Sequence, residues 1–186
     1  PEQSSNWDYI FSQVKKAGEG STVLNLFAYT GGASLAARAA GADVTHVDAV
    51  KQVVTWANDN MQASQLNNIR WVVEDAVKFV RREVKRGKKY TGIILDPPAY
   101  GRGPEGEKWI LEAELNSLLK NCNELLHPEK HFVVLNLYSM GFSSMIAGSL
   151  LESAFKTNTN ECLDLFFTDR RNRRLPLGVV SRFSII

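Results

Sequence analysis

Three aspartates close apolar runs in this sequence of 186 residues: Asp48 ends "DVTHVD", Asp75 ends "IRWVVED" and Asp96 ends "TGIILD". Carboxylates carried to the ends of buried segments are well placed to accept hydrogen bonds from a bound molecule. Ahead of the first of them, "LNLFAYTGGASLAARAAGADVTHVD" (24–48) joins an apolar run, a glycine pair, an alanine-rich stretch and a second apolar run. Gly31 and Gly32 permit a tight turn and a close approach of the backbone to a ligand. Asp48 could then accept from two ribose hydroxyls; a carboxylate there suits an unphosphorylated ribose and repels a 2′-phosphate. A plainer reading has the glycines serving the turn and Asp48 capping the next helix.

The stretch lacks GxGxxG, reading Thr30-Gly31-Gly32-Ala33, and it lacks GxxxxGK[ST]. A ligand with ribose and adenine but no pyrophosphate fits better, and S-adenosylmethionine is such a molecule. Asp75 could accept from the exocyclic adenine amine, with Ala76 at the adenine edge. In "DPPAYGRG", Asp96 leaves a buried strand, and Pro97-Pro98 stiffens the backbone and removes two N–H donors. Their carbonyls could accept from a substrate amine, and Tyr100 could stack on a flat ring. A rigid turn after a strand is the alternative.

The elements that must hold these residues recur with a steady pitch. Strands are expected at 22–27, 43–48, 69–73, 91–96, 131–137, 161–168 and 179–185. In "VKQVVTWANDNM", Val50, Val53, Val54, Ala57 and Met61 share one helical face; in "DAVKFVRREV", Val77, Val80 and Val84 do the same. A longer helix, about 106–126, aligns Leu115, Leu118, Leu119, Cys122, Leu125 and Leu126 before Pro128 stops it. Strands alternating with helices give a doubly wound, Rossmann-like α/β domain, 1–186, with a mostly parallel seven-stranded sheet. The loop at about 169–178 is too short for a crossover helix, so the last strand should run antiparallel. In such sheets ligands bind at the carboxyl ends of the strands, where all three aspartates fall.

With 44% hydrophobic and 23% charged residues, the composition is that of an ordinary globular chain, and no apolar run approaches the ~20 residues of a membrane span. No stretch reads as a signal peptide. Two cysteines, Cys122 and Cys162, make no disulfide framework, which favours a reducing, cytoplasmic setting. His46, His127 and His131 share no ligand spacing, so no metal site is expected. The net charge of +2 demands no polyanion, yet Arg81, Arg82, Lys85, Arg86, Lys88 and Lys89 cluster, as do Arg170, Arg171, Arg173 and Arg174. Both clusters could track a phosphate backbone, or be a solvated helix end and an exposed loop. The sequence begins at Pro1 without a methionine and reads as the C-terminal part of a longer protein.

Taken together, "NLFAYTGG", "VD" at Asp48, "ED" at Asp75 and "DPPAYGRG" resemble the class I S-adenosylmethionine-dependent methyltransferases, above all the group holding the large-subunit rRNA base methyltransferases. The resemblance covers nearly the whole chain. It implies an RNA substrate, in many members an N-terminal RNA-binding module, and a cofactor pocket lined by Asn25, Phe27, Tyr29, Thr30, Gly31, Asp48, Asp75, Ala76 and Asp96. Asn25 stands where many of these enzymes carry an acid. It also bears on the acceptor atom. Relatives that methylate carbon 5 of cytosine use a cysteine after the fifth strand, where this sequence has Tyr138, Ser139 and Met140. A nitrogen acceptor needs chiefly positioning, by Asp96, the Pro97 carbonyl and Tyr100, with Asn136 and Tyr138 nearby and Arg102 available to a phosphate. A protein or small-molecule acceptor, a nicotinamide-dependent oxidoreductase and a non-catalytic binding module are the competing readings.

Overall fold

A computed structural model describes residues 2–138, 141 and 143–186. Its strands are β1 (Thr22–Leu26), β2 (Asp43–Asp48), β3 (Ile69–Val73), β4 (Gly92–Leu95), β5 (Tyr100–Arg102), β6 (Lys108–Ile110), β7 (His131–Leu137), β8 (Glu161–Thr168) and β9 (Arg174–Ile185). Its helices are α1 (Ser4–Ala17), α2 (Gly32–Ala39), α3 (Lys51–Ala63), α4 (Ala76–Lys85), α5 (Leu111–Glu124) and α6 (Ser144–Phe155). Seven strands form one sheet in the order β3-β2-β1-β4-β7-β9-β8, and β5 and β6 form a separate hairpin. All pairings from β3 to β7 are parallel; β9 is antiparallel to both neighbours, as the short final loop required.

The strand order reverses between β1 and β4, which opens a crevice at their carboxyl ends. Alternation along the strands feeds two cores. Leu24, Leu26, Ile93, Leu95, Val133 and Leu135 pack towards α4, α5 and α6. Val23, Ile94, Phe132 and Val134 pack towards Ile10 and Val14 of α1 and Ala37 of α2. With a side-chain period of two, Asn25, Asp96 and Asn136 therefore share the α1–α2 face near the carboxyl edge.

Two boundaries differ from the sequence expectation. The helix expected from about residue 106 begins at Leu111, because Tyr100–Arg102 and Lys108–Ile110 pair instead. Trp109 explains the preference: its indole is buried, and Nε1–H donates to the Pro98 carbonyl at 2.7 Å, which a helical Trp109 would forgo. The loop expected at 169–178 shrinks because β9 starts at Arg174. Asp169 makes that possible by accepting from the backbone N–H groups of Arg171 and Arg173.

Candidate active site

A cleft of about 780 Å³ lies at the carboxyl edge, bordered by Asp48, Asp75, Asp96, Pro97, Tyr100 and Trp109 among others. A second recess of about 300 Å³, reached by Asn25, Thr30, Gly31 and Asn136, adjoins it at Phe27, Tyr29, Asp96 and Tyr138. All eleven catalytic and cofactor candidates, Ala76 included, border one or the other.

The β1–α2 turn is bent to face this space. Phe27, Tyr29 and Gly31 have φ of 54°, 46° and 88°. Left-handed backbone at the two non-glycine positions costs on the order of 1–3 kcal/mol each, so the surroundings must enforce it. Asp48 is one enforcer: Oδ2 accepts from Tyr29 N–H and Oδ1 from Val50 N–H, both at 2.9 Å. Asn60 is another, donating to the Thr30 carbonyl at 3.0 Å. At Gly31 a side chain would meet the Ala57 Cβ at 3.1 Å, so only bare backbone fits there. Each Asp48 oxygen keeps a second lone pair for a hydroxyl. Asp75 likewise caps α4, accepting from Lys78 N–H at 2.8 Å through Oδ1, while Oδ2 has no hydrogen-bond partner among the described residues. Each carboxylate thus ties backbone with some of its lone pairs and keeps others free.

Asn25 is held by a buried relay. Its Nδ2 donates to Ser34 Oγ at 2.9 Å, and Ser34 Oγ lies 3.0 Å from His46 Nδ1. Burial pushes the His46 pKa down to about 4, so the imidazole is neutral and shares one hydrogen bond with the serine through Nδ1. With its amino group committed, Asn25 has Oδ1 left as a neutral acceptor bordering the smaller recess.

Asp96 sits where β4 ends, between Phe27 and Asn136 on the flanking strands. Its Oδ1 is sealed from solvent and has no hydrogen-bond partner among the described residues. Burial, with a smaller contribution from the charge of Glu2, raises its pKa to about 7. The next residues are fixed from outside: Trp109 takes the Pro98 carbonyl, and Leu111 N–H donates to the Ala99 carbonyl at 3.0 Å. One lone pair of the Pro98 carbonyl is therefore taken by Trp109. The Phe27 ring packs 4.9 Å from that of Trp109, so the hairpin braces the turn as well. Tyr100 stands 82% exposed at the rim.

Helix α1 supplies a support that the sequence reading did not foresee. Arg182 can only donate, so the Asn6 oxygen faces it, at 3.1 Å from Nη1. Asn6 Nδ2 then donates to Asn136 Oδ1 at 2.9 Å. That leaves Asn136 Nδ2 as a donor bordering the recess beside Asp96. Gln3 donates to the Tyr138 hydroxyl, whose pKa is raised by burial and by the nearby Asp96 charge. Ser139 and Met140, where a cysteine would serve cytosine C5 chemistry, lie outside the described residues. Cys122 is buried in α5 with its pKa raised by that burial, and Cys162 bonds to Asn160 on β8, away from the cleft. Of the basic residues, Arg82 and Arg86 pair with Glu74 and Glu83 on or beside α4.

Known proteins share this arrangement. A family model described as conserved hypothetical protein 95 matches residues 3–138. The crystal structure of a S-adenosylmethionine-dependent methyltransferase from Agrobacterium tumefaciens superimposes with a TM-score of 0.93 at 38% identity, covering 100% of this chain and 63% of that one. Ribosomal RNA large subunit methyltransferase K/L of Shewanella frigidimarina is 30% identical over 127 residues, 66% of this chain and 18% of that protein. The fold also matches magnesium protoporphyrin IX methyltransferase (ChlM) from Synechocystis PCC 6803 with bound S-adenosylmethionine, at a TM-score of 0.61 and 15% identity over 99% of this chain and 79% of that one. This chain thus spans about a fifth of the curated K/L relative.

Proposed function

This chain belongs to the conserved hypothetical protein 95 family and is a class I S-adenosylmethionine-dependent methyltransferase, and from that premise we propose that it methylates a base nitrogen of large-subunit ribosomal RNA in the cytoplasm. The family sets aside the nicotinamide alternative. One observation carries the choice of a nitrogen: a half-buried acid, Asp96, whose sealed Oδ1 has no hydrogen-bond partner among the described residues, where the two recesses meet.

The residues fit the cofactor. Asp48 offers lone pairs for the ribose hydroxyls, Asp75 Oδ2 and Ala76 frame the adenine edge, and the bare backbone at Gly31 with Asn25 Oδ1 receives the amino-acid end. Bound there, the cofactor supplies a methyl group on a sulfonium, an excellent leaving group. The chain's own part is positioning, which supplies most of the rate in such a transfer. Asp96 accepts a hydrogen bond from the N–H of the target nitrogen and so aims its lone pair. The Pro97 carbonyl, at the border of the cleft, is a second acceptor, and Asn136 Nδ2 is a donor for a neighbouring carbonyl or ring nitrogen. Tyr100 stacks on the base from the rim. As the N–CH₃ bond forms and the S–CH₃ bond breaks, the nitrogen loses one proton, which a carboxyl with a pKa of about 7 can take and release to water. The carbon route would need a thiolate, and neither cysteine is placed to provide one.

Mass spectrometry of rRNA nucleosides from cells with and without the gene tests the proposal. One N-methylated nucleoside should vanish from large-subunit RNA and return when that RNA is incubated with the chain and S-adenosylmethionine. Unchanged RNA, with the labelled methyl group appearing in protein or small molecules, would refute it.

A further inference from the structure

The β8–β9 hairpin does more than close the sheet. β9 pairs with β7 from Ile185 opposite His131 to Val179 opposite Leu137, and residues 174–178 then run on past the end of β7. At ~3.3 Å per residue that is an overhang of roughly 15 Å, on the edge where the cleft opens. Its root touches the site: a Cβ at Gly178 would stand 2.9 Å from the Tyr138 ring and 3.0 Å from the Leu137 carbonyl. Whatever lies along the arm therefore lies beside the cleft.

The chemistry of the arm is uneven. Residues 166–175, "FFTDRRNRRL", hold four arginines against one aspartate, more positive charge than the net +2 of the whole chain. The aspartate is spent internally: Asp169 accepts from the Arg173 backbone and guanidinium, which holds its carboxyl below the ordinary range. That turn also fixes the tip, with Asn172 at φ 61°, so the arginines project from ordered backbone. Arg170 and Arg171 have exposed side chains with no partner among the described residues. Arg174 lies flat over the Phe166 ring, 4.5 Å from its centre. Phe166, Phe167 and Leu175 are all exposed, Leu175 at 57%. A hairpin that merely met solvent would have no use for three exposed apolar side chains; arginines interleaved with aromatic faces suit a strand with phosphates on one side and unstacked bases on the other.

We infer that residues 166–175 are an arm that grips a single-stranded segment of substrate RNA next to the base being methylated. The inference rests on the RNA reading above and adds the surface that holds the RNA. Arg170 and Arg171 meet phosphates, and the Arg174–Phe166 stack offers its outer face to a base.

The test uses the 186-residue chain and a fluorescent, unstructured RNA of about 16 nucleotides, with affinity measured between about 50 and 300 mM salt. R170E/R171E/R174E should weaken binding at least tenfold at physiological salt and lower the salt slope by at least about 1.4, two phosphate contacts at ~0.7 each. F166A/F167A should weaken binding about tenfold with the slope unchanged. R170A/R171A, changing only exposed side chains, guards against misfolding and should lower the slope by about 1.4. Affinity for S-adenosylhomocysteine should stay at the wild-type value in all three. Wild-type affinity and slope in R170A/R171A and R170E/R171E/R174E would overturn the arm alone. No RNA binding by the wild-type chain at low salt would overturn the arm together with the RNA reading. A self-association in sedimentation that F166A/F167A abolishes, with RNA affinity intact, would make the arm a protein interface and also overturn the inference.

Discussion

Asp96→Asn should stabilise this protein, and by an amount that grows with pH. The ordinary carboxyl pKa of 3.8 is raised to about 7 in the folded chain, chiefly by burial and secondarily by Glu2. A raised acid favours the neutral form on folding, so the fold is most stable with Asp96 protonated. That stability is intact below about pH 3.8, is lost as pH rises through 7, and changes no further above it. Linkage between those two values makes ionisation cost about 2 kcal/mol at pH 5 and about 4 kcal/mol at pH 8, a rise of about 2–3 kcal/mol. The asparagine has the shape of the acid and carries none of this dependence. For a chain of this size such a rise corresponds to roughly 5–10 °C in melting temperature. Thermal unfolding of both proteins at pH 5 and pH 8 reads it directly: the advantage of the variant should be 5–10 °C larger at pH 8. The same variant should lose methylation by about 10²-fold or more and lose the rising limb of the pH–rate profile near 7. An equal advantage at both pH values would show that the carboxyl titrates in its ordinary range, and the argument from a dry, poised acid would fail.

Three further substitutions probe the supports. Asp48→Ala should weaken S-adenosylhomocysteine binding about 30-fold by calorimetry, the worth of lost ribose hydrogen bonds to a charged group; unchanged affinity would remove Asp48 from the site. Ser34→Ala leaves Asn25 Nδ2 and His46 Nδ1 buried without partners, so chemical denaturation should show a loss of about 1–3 kcal/mol along with weaker cofactor affinity. Trp109→Phe keeps the ring against Phe27 but frees the Pro98 carbonyl; about 1 kcal/mol of stability should go, and KM for RNA should rise more than the cofactor's Kd.

Much of this fold is legible in its pattern. Branched apolar runs separated by helical faces give six of the seven sheet strands to within a residue or two, and the short loop before the last strand forces the antiparallel pairing of β9. The hairpin at Tyr100–Ile110 is hidden because "EGEKWILEAEL" has a helical rhythm; only the tertiary bond of Trp109 to the Pro98 carbonyl breaks it. Helix α1 is hidden differently. Its Asn6 and Gln3 read as surface polar residues, and their value as orienters appears once β7 and β9 bring Asn136, Tyr138 and Arg182 from far along the chain. His46 likewise carries no spacing signal; it matters through Ser34, at a step of the fold that no linear motif records.

The three aspartates that looked equivalent along the chain divide their labour once folded. Asp48 holds two backbone N–H groups and Asp75 caps α4, so each ties a loop and keeps lone pairs for a ligand. Among the described residues Asp96 ties nothing with its side chain, and burial raises its pKa, which costs the fold stability whenever it ionises. A residue that destabilises the empty chain and braces no described neighbour fits a role toward a ligand. On the proposed function Asp48 and Asp75 hold the cofactor and Asp96 meets the nitrogen, so replacing Asp48 or Asp75 should move cofactor affinity first, whereas replacing Asp96 should move the rate first.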